Sequence, residues 1–99
     1  MKDDLLKIIN NYGIIHQIKH WHGEIYELDE AIALQQMESF NLLEELVDIR
    51  NNIAEELVDN LVMLKQFQYY YGIKDKEIED IMKTKIERQL NRMENKDAI

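Results

Sequence analysis

The chain has 99 residues, 20 Asp and Glu against 12 Lys and Arg, a formal net charge of −8 and no cysteine. That excludes disulfides and thiolate metal sites, opposes binding to a DNA or RNA backbone and, with no run near ~18 apolar residues, excludes a transmembrane helix. It predicts one domain over residues 1–99 with a thin core, for which self-association is the most direct source of extra buried area, and it is compatible with a cytoplasmic, reducing setting.

There is no proline, and the three glycines are Gly13, Gly23 and Gly72. Good helix formers dominate and period-2 alternation is scarce, so the reading is all-α, four helices, with Gly13 and Gly72 as breaks. The first helix is expected over 3–11, closed by Gly13. The second is expected over 15–36, with the stripe Ile18, Trp21, Ile25, Leu28 and Ile32. A poorly patterned stretch, 37–52, holds LLEELVDI, a short helix expected to end at Asn51-Asn52. The third helix is expected over 52–71, with Ile53, Leu57, Leu61, Leu64, Gln68 and Tyr71 on one face. Val58, Val62, Met63, Phe67, Tyr69 and Tyr70 cover much of the rest, the pattern of a helix buried on more than one side and lying at a subunit interface. The last helix is expected over 76–93 with Ile78, Ile81, Met82, Ile86, Leu90 and Met93 inward, followed by a frayed tail at 94–99.

Two carboxylate pairs at helical spacing precede apolar runs: Glu24 and Glu27 in HGEIYELDEAI, and Glu56 and Asp59 in AEELVDNLVML. Spacing alone means little, because composition predicts about four acidic i,i+3 pairs and the chain has six. Phase is more selective. With Ile25 and Leu57 as stripe centres, both pairs fall at about −100° and −160°, on the same side of their apolar seams. Two packed helices would bring four carboxylates together, which costs too much without a cation among them. Oxygen-only ligation suits Mg²⁺, with Mn²⁺ as the alternative. ELVD occurs twice, so Glu45 and Asp48 rival Glu56 and Asp59 as the second pair. Glu56 and Asp59 are preferred because Leu57, Leu61, Leu64 and Phe67 continue a packed helix behind them.

The two acidic blocks resemble those of the MazG-like, all-α nucleoside triphosphate pyrophosphohydrolases. GEIYELDEAI is similar to that family's ExxE motif, with Gly23 where many members carry an additional acid. AEELVDNLVMLKQFQYYYGI is similar to its ExxD motif and central helix. NNYGIIHQ and KIERQLNR resemble stretches of phage-type members. The resemblance spans roughly residues 8–93, and the connector at 37–51 has no counterpart. It implies a four-helix bundle completed by dimerisation or pairing into tetramers. It implies Mg²⁺ held by Glu24, Glu27, Glu56 and Asp59, and cleavage of a (deoxy)nucleoside triphosphate to the monophosphate and pyrophosphate. A bacterial cell or phage-infected host is the implied setting. Glu27 or Glu56 is the expected general base.

Substrate contacts are expected from Lys85, Arg88 and Arg92, a basic face in an acidic chain suited to phosphate. His20 follows the stripe that leads to Glu24 and reaches a phosphate or a base. Gln17 and Trp21 are candidates for a base pocket, and Asn60 for a sugar or phosphate contact. Zinc at His16 and His20 lacks a third ligand. The alternative to the enzyme is a non-enzymatic acidic helical module whose aromatic central helix binds another protein.

Overall fold

The computed structural model describes residues 1–37 and 43–95. Four helices, α1 (Lys2–Tyr12), α2 (Ile14–Met37), α3 (Leu43–Tyr70) and α4 (Asp75–Glu94), make up the fold, with no strand among the described residues. The architecture is therefore all-α, as the composition predicts. Of the frayed tail expected at 94–99, Glu94 belongs to α4 and residues 96–99 lie outside the described residues, as do residues 38–42 of the 37–52 connector.

Gly13 joins α1 to α2 with φ 89°. Its N–H donates to the Ile9 carbonyl at 2.8 Å, and its own carbonyl accepts from the Gln17 N–H at 3.1 Å. A left-handed backbone is inexpensive only for glycine, so this one residue closes one helix and starts the next. The fold-back sets α1 against α2 and α3 and buries Ile9 completely.

Gly72, at φ 69°, ends α3. The Gly72 N–H donates to the Tyr69 carbonyl at 3.1 Å and the Ile73 N–H to the Gln68 carbonyl at 3.0 Å, the paired bonds of a Schellman ending. Asp75 then accepts from Gln68 at 2.7 Å, Lys65 at 2.9 Å and Tyr69 at 3.0 Å. These bonds lower its carboxyl to about 2, Gln68 contributing most. They fix the corner into α4.

Two expectations fail. LLEELVDI is not a separate short helix: α3 runs unbroken from Leu43 through Asn51 and Asn52. Asparagine costs a helix only about 0.5–0.7 kcal/mol relative to alanine, too little to stop it without glycine or proline. The packing seams are also rotated from the expected stripes, by about 60–70°. On α2 the seam runs Gln17, Trp21, Glu24, Leu28, Ala31, while Ile25 and Ile32 are exposed. On α3 it runs Ile53, Glu56, Asn60, Met63, Phe67, while Leu57, Leu61, Leu64 and Tyr71 are exposed. The buried residues with polar side chains are Gln17, Asn60, Gln66 and Gln68.

α4 stands apart. Among the described residues, helix packing joins α1, α2 and α3 to one another, and α4 is not packed against them apart from the Asp75 bonds at its first residue. The residues expected to face inward on α4 are exposed apart from half-buried Ile78: Ile81, Met82, Ile86, Leu90 and Met93 all face solvent. The accessible surface is 8204 Å², against about 5,900 Å² for a folded monomer of this mass. The radius of gyration is 17.5 Å, against about 13 Å for a compact domain of this length.

Candidate metal centre and adjoining cavity

The α2–α3 seam carries acids where a core would carry leucines. Glu24 and Glu56 are half-buried in it, and Glu27 lies one turn beyond Glu24 and is exposed. Carboxylate oxygens of the three lie within 4.8 Å of one another. Asn60 holds the two helices at this point. Its Nδ2 donates to the backbone carbonyls of Glu24 and Glu56, each at 2.9 Å. Both amide hydrogens are thereby used, and Asn60 positions the acids; it does not reach out as the expected sugar or phosphate contact.

Electrostatically the cluster is strained. Glu24 Oε2 and Glu56 Oε2 are buried with no hydrogen-bond partner, which proteins rarely tolerate. Burial pushes the Glu24 carboxyl above its ordinary value, with Asp59 and then Glu27 adding repulsion. Burial also raises Glu56, followed by repulsion from Glu27, Asp59 and Glu24. His20 stands beside them, its Nε2 3.3 Å from Glu24 Oε1, and is a charge partner only when its ring is protonated.

The donor set fits a hard divalent cation. Ligand distances of about 2.0–2.1 Å put neighbouring oxygens about 3 Å and opposite ones about 4 Å apart in an octahedron, so the triad would close around such an ion. Asp59 lies outside the triad but close enough to raise both seam acids. The rival pair, Glu45 and Asp48, is exposed and belongs to no such group among the described residues. Eleven residues make about three helical turns, so the copy shares the face of Glu56 and Asp59 but lies about 16 Å along the axis.

A cavity of about 400 Å³ adjoins the cluster and shares Glu24 and Asp59 with it. Tyr12, His16, Gln17 and His20 form one side, Met63 and Gln66 the other. The Tyr12 and His16 rings stack at 5.1 Å and 17°. A second depression of about 550 Å³ reaches Glu27 and Glu56, so the acids lie between two hollows.

Gln17 and His20 therefore line the cavity, as expected. Trp21 does not: it packs edge-on against Phe67 at 5.5 Å. Lys85 and Arg88 line a groove on α4 itself, and Arg92 is exposed on the same helix. With α4 unpacked, none of the three meets the acids within one chain. His16 bonds Gln17 and His20 pairs with Glu24, and no described group combines histidines for zinc. Gln66, buried beside Gln17, was not expected. In the sequence it is one of two glutamines that, with Lys65, interrupt the run LVMLKQFQYYY, and nothing there marks it from Gln68.

No known protein family, curated protein or solved structure matches this chain.

Proposed function

We propose that this protein is a cytoplasmic, Mg²⁺-dependent hydrolase that cleaves a (deoxy)nucleoside triphosphate to the monophosphate and pyrophosphate, as the MazG-like acidic blocks imply. The carrying observation is the pair of buried, unpartnered carboxylate oxygens on Glu24 and Glu56 within reach of Glu27. Such oxygens are costly unless a cation satisfies them. In this reading Glu24, Glu27 and Glu56 hold the ion, and Asp59 supports it or a second one. Mn²⁺ has the same ligand preference.

When bound, the ion supplies the positive charge that lets a triphosphate approach and activates water for attack. The chain's residues do the rest. Asn60 keeps the two seam acids in register through their backbones. Glu27, the exposed member, takes the proton from the attacking water, while Glu56 is committed by its unpartnered oxygen. The water oxygen bonds to phosphorus as the bond to the pyrophosphate group breaks. His20, beside Glu24, offers a donor to the phosphate or sugar.

The same reading includes self-association. The excess of about 2,300 Å² over a monomer's surface would, if covered on two copies, bury about 4,600 Å² in all, within the range of obligate homodimers. The apolar face of α4 and the exposed Leu57, Leu61 and Leu64 of α3 are the surfaces to be covered. Those faces are also what a non-enzymatic interaction module would present. A panel of ribo- and deoxyribonucleoside triphosphates with Mg²⁺, followed by ³¹P NMR, separates the two: the enzyme releases pyrophosphate from at least one. A panel in which none does leaves the interaction module.

A further inference from the structure

The cavity beside the carboxylates has a directional floor. His16 Nδ1 lies 3.0 Å from Gln17 Oε1, and Gln17 Nε2 donates to Gln66 Oε1 at 2.8 Å. Gln66 Nε2 then faces only the Met63 thioether, at 3.8 Å, a weak acceptor. With the His16 Nδ1–H as donor, the three groups form a chain that runs one way and ends in an N–H. Sulfur as the last neighbour agrees with that direction, because a thioether accepts and does not donate.

Both amides are more than nine-tenths buried, Gln17 at 3% and Gln66 at 2% exposure, so bulk water does not satisfy them. Their two oxygens each accept one hydrogen bond already. Of their four N–H groups, one goes to an amide oxygen and one to sulfur. The floor is therefore rich in donors. Beside it stands the Tyr12–His16 aromatic stack, and at its edge lie Glu24 and Asp59.

We infer that Gln66, oriented by Gln17 and His16, reads a ring carbonyl oxygen of a nucleobase, so that the cavity selects the carbonyl-bearing bases, uracil, thymine, cytosine and guanine, over adenine. A carbonyl oxygen has two lone pairs to offer a donor-rich floor and would replace the thioether as the last acceptor. Adenine carries no carbonyl. The aromatic wall suits a flat ring, and the shared Glu24 and Asp59 set the base one sugar away from the acidic cluster. The inference rests on the nucleotide reading above for its choice of ligand, but not on hydrolysis.

The test uses free nucleosides, which carry no phosphate, without metal. In ¹H–¹⁵N spectra of the wild-type protein, uridine and guanosine shift the side-chain amide signals of Gln66 and Gln17, and adenosine does not. In turnover with Mg²⁺, kcat/KM for the uracil nucleotide exceeds that for adenine about 10–100-fold, the value of one buried donor–acceptor match. Gln66→Glu, which replaces the donor by an acceptor, brings the two within a few-fold. Shifts at Gln66 with no pyrophosphate released uphold the base site and overturn the hydrolase. Pyrophosphate release at equal kcat/KM for all bases, with the Gln66 signals unmoved, does the reverse. Neither shifts nor turnover overturns both.

Discussion

The two faces of α3 invert the usual rule of burial. Toward α2 it buries Glu56, Asn60 and Gln66 together with Met63 and Phe67; away from α2 it exposes Leu57, Leu61 and Leu64. α4 extends the exposed side, with an apolar stripe that touches no other helix. A chain that keeps polar groups in its seam gives up stability there, since buried polar groups add little net and cost much when unmatched. It retains them for what they hold between the helices. The leucines outside are not wasted if another surface covers them. In the proposed reading the polar seam is the site and the apolar outside is the contact.

The largest effect is expected at the seam acids. Glu24→Gln leaves the backbone bond to Asn60 intact but removes a ligand charge. Even outer partners of metal ligands are worth about 10–100-fold in affinity or activity, so turnover falls by more than about 100-fold. Thermal denaturation without metal moves the opposite way, to higher temperature, because like-charge crowding is relieved. A variant with lost turnover and an unchanged or lower melting point contradicts the crowding account.

On the outer side, Ile81→Asp with Ile86→Asp places charge on the α4 stripe, where both residues are about half exposed in the single chain. Light scattering should then report one 11.9 kDa chain for the double variant and a multiple of it for the wild type. A wild type already monomeric at all concentrations refutes self-association. Smaller in scale, Asn60→Ala removes two hydrogen bonds from partly buried carbonyls and is expected to cost about 2–3 kcal/mol in denaturant unfolding, while Leu57→Ala on the exposed face costs well under that in a monomeric background.

The mildest effect is one of pH. Glu24 and Glu56 have raised carboxyl values in the folded state, so the native protein binds protons there more readily than the unfolded chain. Stability of the metal-free protein therefore increases as pH falls from neutral through the raised values, and the gain is complete below the ordinary 4.5. Asp75 works in a separate window, lost only as pH falls from 3.8 toward about 2. Melting curves in chelator should rise between neutrality and mild acid, and saturating Mg²⁺, which holds the acids ionised, should flatten that slope.

Much of the fold was legible because its punctuation is chemical. Gly13 and Gly72 are the two left-handed positions, and each ends a helix where the pattern says. Of the four carboxylates that matched phase brings together, Glu24, Glu27 and Glu56 do meet, while Asp59 stays outside the triad. What misled was the assumption that the most apolar stripe is the one packed within the chain. The stripe centres Leu57 and Ile25 are exposed, with Leu61, Leu64 and Ile32, and the packed seam runs through Glu56 and Glu24 beside them. Of the acids expected beside the seam, Glu24 and Glu56 are therefore in it. Gln66 and the two backbone bonds of Asn60 were beyond sequence reasoning, because a buried amide is recognised only by its partners. The basic face of Lys85, Arg88 and Arg92 is legible as a pattern, but its meaning depends on what α4 packs against.

The duplicated ELVD gives the most direct test of the metal centre, since the two copies share a helix face about three turns apart and differ only in what packs beside them. Pyrophosphate release from the preferred triphosphate should be measured with Mg²⁺ for Glu56→Gln and Glu45→Gln. Loss of turnover in the first with near wild-type activity in the second is the predicted result. Intact turnover in Glu56→Gln would contradict it.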